Sequence, residues 1–166
     1  ARMEAGHASE AMADFDAARI TEDLAELYEP LAEEAGLTMD IAITTGLTVH
    51  GNRELVGQAV ANLLDNAIKY GSAAESEKGP VTVRAVRDAD RVRIMVADRG
   101  PGIPEADRER VLDRFVRLEA ARTRPGFGLG LSLAVAVARL HGGTLSLHDH
   151  APGLEAVLSL PLREGA

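Results

Sequence analysis

The apolar pattern between residues 53 and 97 changes period once, and that change restricts the fold more than any other feature of the chain. Val56, Val60, Leu63, Leu64 and Ala67 recur at helical spacing, with Asn52 placed to cap the helix ahead of them. After the small and polar run GSAAESEKGP the period drops to two. Val81, Val83 and Ala85 alternate with polar neighbours, and Val92, Ile94 and Val96 do so again beyond a turn at 88–90. The pattern recurs downstream, with a helix over 130–141 stopped by Gly142 and Gly143, then strands over 144–149 and 154–160. Upstream, Thr21 is expected to cap a helix over 21–34 whose Leu24, Leu27, Tyr28 and Leu31 should face the core. Strands over 37–43 and 48–50 should follow. Hairpins outnumber crossovers in this order. The expectation is an α/β two-layer sandwich: a mixed, mostly antiparallel sheet of about five strands, covered on one face by about three helices.

Composition narrows the chemistry. Hydrophobic residues make up 46% of the 166 and aromatics only 3%, so the core must be aliphatic. The formal charge of -8 opposes a nucleic-acid partner, because a polyanion is held by Lys and Arg. Cysteine is absent, which removes disulfide and thiolate chemistry and suits a reducing compartment. No apolar run approaches the roughly 20 residues that span a bilayer, and no signal peptide opens the chain. Residues 1–19 begin without an initiator Met and read as the tail of a helix plus a linker. The folded domain is expected over 20–163, with 164–166 as a tail.

Three segments carry chemistry. On the helix over 53–70, Gln58, Asn62, Asp65, Asn66 and Lys69 fall within an arc of roughly 100° at the helical spacing of 100° per residue. Two carboxamides one turn apart, followed by an amine, make an unusual polar face, and a solvated helix face is the bland alternative. An Asn carbonyl suits a hard cation such as Mg²⁺ that brings phosphate oxygens and water, and a Lys neutralises phosphate as a point charge. The second segment is Asp98-Arg99-Gly100-Pro101-Gly102-Ile103-Pro104, where Gly100 and Gly102 permit a sharp turn and close approach to a ligand. Asp98 stands ready to accept a hydrogen bond from an amine such as that of adenine; an ordinary surface turn is the bland alternative. In the third, Gly126-Phe127-Gly128-Leu129-Gly130-Leu131 opens a helix, where backbone amides favour phosphate. Four arginines (Arg114, Arg117, Arg122, Arg124) against Glu119 precede it, a positive stretch in an acidic chain. The glycine spacing is that of neither a P-loop nor a dinucleotide fingerprint.

Order and spacing together resemble a known family. NLLDNAIKYG is similar to the N box of sensor histidine kinases, DRGPGIP to their first glycine box, RFVRLEAAR to the phenylalanine box, and GFGLGLSLAVAVARLHGG to the second glycine box. The resemblance runs from about Ile20 to Leu162. It implies the Bergerat-type sandwich of the GHKL ATPases and, as cofactors, ATP and Mg²⁺. It casts Asn66 as the Mg²⁺ ligand, with Asn62 and Lys69 near the phosphates, Tyr70 beside the nucleotide and Asp98 on the adenine amine. Gly100, Gly102 and Ile103 complete the pocket turn. Phe115 and Arg117 match the phenylalanine box, with Arg117 toward the γ-phosphate. Gly126, Gly128, Leu129 and Gly130 match the loop over the phosphates, and Leu131 should touch the base or sugar. Phe127 departs from the small or polar residue expected there.

The implied activity is transfer of the γ-phosphoryl to a histidine on a dimerisation domain, with Asn62, Lys69 and Arg117 in catalytic roles. His7 lacks the acid and downstream Pro of a phosphoacceptor, so this chain should bind ATP without phosphorylating itself. The implied partners are the dimerisation helices of the same parent, through which it would form a homodimer, and a response-regulator receiver domain. The implied location is the cytoplasmic side of a parent in the inner membrane. GHKL ATPase switches and anti-sigma-type serine kinases share these boxes and are the rival readings. Related ATPases use a Glu one turn before the Mg²⁺ Asn to activate water; Asn62 occupies that position and cannot take a proton.

Overall fold

The computed structural model describes residues 11–74, 78–112 and 129–163. Strand β1 (Ala13–Asp16) leads directly into helix α1 (Ala17–Glu34). Strands β2 (Met39–Ile43) and β3 (Thr48–Gly51), helix α2 (Arg53–Ser72) and strands β4 (Val81–Asp88) and β5 (Arg91–Ala97) follow. Helix α3 (Glu105–Leu112), helix α4 (Leu129–Leu140) and strands β6 (Thr144–Asp149) and β7 (Leu154–Pro161) complete the order.

The main sheet has five strands in the order β2-β4-β5-β7-β6. Only β2 and β4 run parallel, with Met39 opposite Val81; the other neighbours are antiparallel. The excursion through β3 and α2 supplies the crossover that a parallel pair requires. Val81, Val83, Ala85, Val92, Ile94, Leu158 and Leu160 point to one face and are fully buried. Val56, Val60 and Leu64 of α2 and Ala134, Val137 and Ala138 of α4 lie against them in the same core. Arg84 and Arg93 on the other face are exposed, so the helices cover one side, as expected. Among the described residues the largest fully buried side chains are Leu, Ile and Val, each contributing about 1.5–3 kcal/mol by burial.

Two elements differ from expectation at the start of the chain. Residues 13–16 are a strand, paired antiparallel with β3 as a separate two-stranded sheet, where a helix tail and linker are expected. Asp16, not Thr21, caps α1. Its carboxylate accepts from Ala18 N (2.9 Å) and from Leu47 N (3.1 Å), so it closes the helix start and ties it to the segment before β3. Thr21 lies inside the helix, fully buried, with its hydroxyl donating to Ala17 O at 2.8 Å. The helix therefore turns a different face inward. Ala17, Ala18, Ala25 and Ala32 are buried, Leu24 and Tyr28 half-buried, and Leu27 and Leu31 are exposed, against the sequence expectation. Ile20 is buried with the alanines, so the inward face is the one that α1 packs on the sheet and α2.

The later elements match closely. Asn52 caps α2 by accepting from Leu55 N at 3.0 Å. His141, at the end of α4, is buried. Its Nδ1 donates to Val137 O at 2.7 Å while Nε2 accepts from Asn52 N at 3.0 Å. That pattern requires the neutral ring with the proton on Nδ1, and it joins the end of α4 to the start of α2. His141→Ala leaves the buried Asn52 N–H without an acceptor and opens a cavity. We expect a loss of about 3 kcal/mol in urea unfolding; a loss under about 1 kcal/mol would show that this junction carries little. Among the described residues no helix is long and apolar enough to cross a membrane.

Candidate functional site

Of the polar arc of α2, Asn66 is the member that reaches the carboxyl end of β5. Asn66 is buried at 7% exposure, and its Nδ2 has no hydrogen-bond partner among the described residues. Across from it, Asp98 immediately follows β5 and is only 2% exposed. Asn66, Tyr70, Asp98 and Leu131 line one cavity, with Leu63, Ala67, Val96, Leu154 and Ala156 as its apolar wall. These residues leave about 10 Å³ between them, room for a single water. They form a floor, and a flat ring must lie on it or part the side chains.

Asp98 is held by its backbone and by the turn that follows. Its N–H donates to Leu154 O at 2.9 Å, and its Oδ1 accepts from Gly100 N at 2.8 Å. A Cβ at Gly100 would run into the carbonyl of Tyr70, so only glycine lets this turn close against the end of α2. Gly102 has φ +74° and approaches Gly153 O, which a Cβ would meet at 2.8 Å. Ile103 is buried in the core just beyond. Burial raises the Asp98 carboxyl from the ordinary 3.8 to about 6, while the Gly100 and Leu154 amides and the charge of His150 pull it back. The carboxylate is thus held in a dry place by backbone amides at Gly100 and Leu154.

The remaining expected residues divide. Asn62 is half-buried on α2 one turn before Asn66 but does not line the cavity floor. Lys69 lies on the exposed side, paired with Asp65 at 3.1 Å. Leu129 and Gly130 form the first turn of α4, which delivers Leu131 to the cavity at 2% exposure. Phe115, Arg117, Gly126, Phe127 and Gly128 lie outside the described residues, as do Arg114, Glu119, Arg122, Arg124 and His7. Sequence reasoning missed the Asp65–Lys69 pair, although its i,i+4 spacing announces it. It also missed His150, whose approach to Asp98 comes from the β6–β7 turn and has no local signature.

No cluster of three or more His, Cys, Asp or Glu among the described residues could hold a metal. The donor set here is different: a single buried neutral amide, which fits a hard cation that arrives with its own oxygen ligands.

Residues 51–164 match the profile of the histidine kinase-, DNA gyrase B-, and HSP90-like ATPase family. The chain belongs to that family. Within this ATPase family the similarity is to sensor kinases. The chain is 39% identical over 139 residues to the signal transduction histidine-protein kinase/phosphatase MprB of Mycobacterium sp. (strain KMS), covering 80% of this chain and 26% of that protein. It is 36% identical over 137 residues to the adaptive-response sensory kinase SasA of Crocosphaera subtropica, covering 81% and 35%. It thus spans about a quarter to a third of these relatives. Among solved structures, a mycobacterial sensor histidine kinase MprB superposes with TM-score 0.75 at 30% identity, over 92% of this chain and 98% of that one. Full-length ShkA in complex with AMPPNP superposes with TM-score 0.77 at 28% identity, over 94% and 32%. The expected sandwich and the resemblance to sensor-kinase ATPase domains both hold.

Proposed function

We propose that this chain is the ATP-binding catalytic domain of a two-component sensor histidine kinase. It would pass the γ-phosphoryl of Mg-ATP to a histidine on dimerisation helices of its parent. The observation that carries the reading is the shared cavity of Asn66 and Asp98, an amide and a carboxylate brought together from α2 and the end of β5. Asp98 accepts from the adenine amine, its buried carboxylate discriminating against bases that present an acceptor there. Tyr70, Leu131 and the turn of Gly100, Gly102 and Ile103 enclose the base and sugar. Asn66 offers its carbonyl to the metal and Asn62 its amide to the phosphates. Lys69 exchanges Asp65 for a phosphate oxygen. Arg117 and Phe115, and the backbone at Gly126, Gly128, Leu129 and Gly130, are assigned to the triphosphate on the strength of the sequence resemblance. Bound Mg²⁺ supplies charge neutralisation on the phosphates.

Asn62 favours transfer over hydrolysis, because an amide cannot remove a proton from water. A neutral imidazole is already nucleophilic, so positioning and charge neutralisation suffice. The parent would be a membrane-attached homodimer whose receiver-domain partner takes the phosphoryl onward. The test pairs this chain with a separately produced phosphoacceptor helical hairpin and γ-labelled ATP. Acid-labile, base-stable label on a histidine of the hairpin is expected, with no steady release of phosphate by the chain alone. Multiple-turnover hydrolysis would point to an ATPase switch, and acid-stable label on serine to the anti-sigma type; either result would overturn the assignment.

A further inference from the structure

Among the described residues the exposed large hydrophobic side chains are Leu27, at 67%, and Leu31, at 48%. Both lie on one flank of α1. At helical spacing Ile20, Leu24, Leu27 and Leu31 fall in a single row, offset i, i+4, i+7 and i+11, the seam of a helix that pairs with another helix. The first two members of the row also form one wall of a groove of about 430 Å³, with Asp23 beside them and Arg53, Glu54 and Gly57 of α2 opposite. Gly57 widens this groove where a larger residue would fill it. Leu27 and Leu31 are exposed, Leu24 is half-buried and Ile20 is buried at the groove end, so the row runs from the groove out to an exposed apolar flank, and a flank of this kind marks a binding face.

Charge decides what covers it. α1 carries six acids (Glu22, Asp23, Glu26, Glu29, Glu33, Glu34) against the single base Arg19, and Arg19 is already within 3.7 Å of Asp23. Asp23 and Glu34 border the row on the helix wheel, and Glu54 stands across the groove beside Arg53, so three acids face that one base and Arg19. A second copy of α1 laid on the row would set acids against acids. An amphipathic helix with Lys or Arg beside its apolar seam would bury the leucines and meet these acids at its rim. From the apolar row and its acidic border, we infer that the α1 flank docks a basic amphipathic helix. This surface does not depend on the nucleotide reading, since none of its residues lines the Asn66–Asp98 cavity.

The probe is a synthetic helical peptide with Leu at the a and d heptad positions and Lys at e and g, titrated into the full chain by calorimetry. Two control peptides replace the Lys by Glu, or the Leu by Ser. Leu27→Ser/Leu31→Ser removes exposed side chains only, so its thermal midpoint and its ATP affinity should equal those of the parent chain. The Leu/Lys peptide is expected to bind the parent chain at least about tenfold more tightly than either control, and at least about tenfold more tightly than it binds the double variant. Equal affinity for parent chain and double variant would overturn the inference, as would equal binding of the Leu/Glu peptide. So would a concentration-dependent dimer in sedimentation that the double variant abolishes, since the occupant would then be a second copy.

Discussion

Asn66→Ala is expected to weaken Mg-ATP binding by about 100-fold or more, a loss of about 2.8 kcal/mol, without destabilising the empty domain. Asn66 is the one carboxamide on the cavity floor, and its Nδ2 is buried without a partner among the described residues. On the proposed reading, alanine removes the oxygen that would meet the metal and, with it, an amide that is buried without a partner among the described residues. Binding and stability should therefore part company: affinity collapses while the urea midpoint stays level or rises slightly. Calorimetry with and without Mg²⁺ separates the roles. The variant should lose most where the metal is present and little where it has been chelated. An unchanged dissociation constant would remove Asn66 from the site.

Asp98→Asn should move stability and affinity in opposite directions. The Asp98 carboxyl is raised from 3.8 to about 6, chiefly by burial, so the native state holds this proton more tightly than the unfolded chain does. Between those two values the folded state carries the extra proton, and its stability from this group falls as pH rises. Above about 6 the full penalty applies, about 3 kcal/mol at about 1.4 kcal/mol per pKa step. Asparagine keeps the acceptor for Gly100 N without the charge, so the empty variant should be more stable at pH 7.5 by up to that amount. At pH 4 the two chains should differ little, because the aspartate is then protonated in the native state. The same substitution places an N–H where an adenine amine needs an acceptor, and ATP affinity should drop by about 30-fold or more. Urea midpoints across pH 4–8, compared between the two chains, isolate this group from the other carboxylates. A wild-type chain as stable as the variant at pH 7.5 would mean that the carboxylate is not strained by burial.

Both outcomes would express one design. The cleft holds an amide and a carboxylate in a dry place, and on the proposed reading the metal and amine of a bound nucleotide would offset the cost of that burial. Enzyme sites commonly store strain in this form.

How far the chain could be read in advance depended on distance along it. Helix α2 and its Asn52 cap, strands β4 and β5, and β6 at Thr144–Asp149 all follow from local periodicity and capping chemistry, which act within a few residues. The polar arc with Asn62, Asn66 and Lys69 was legible for the same reason, as was the glycine turn after Asp98. What local pattern could not supply was the inward direction of α1. Leu27 and Leu31 outweigh Ala25 and Ala32 in hydrophobicity, yet the alanines are buried with Ile20, because the packing of α1 on its neighbours sets which face turns inward. The strand at Ala13–Asp16 exists because β3, some 35 residues later, offers it an edge, and Asp16 caps α1 because Leu47 N lies within its reach. The raised Asp98 proton affinity likewise arises from the burial that packing imposes, against the opposing pull of Gly100, Leu154 and His150. Residue identity and spacing thus specified the elements and named the chemical groups. Which faces turned inward, and how dry each group became, depended on contacts between segments far apart in the chain, where burial overrides local preference.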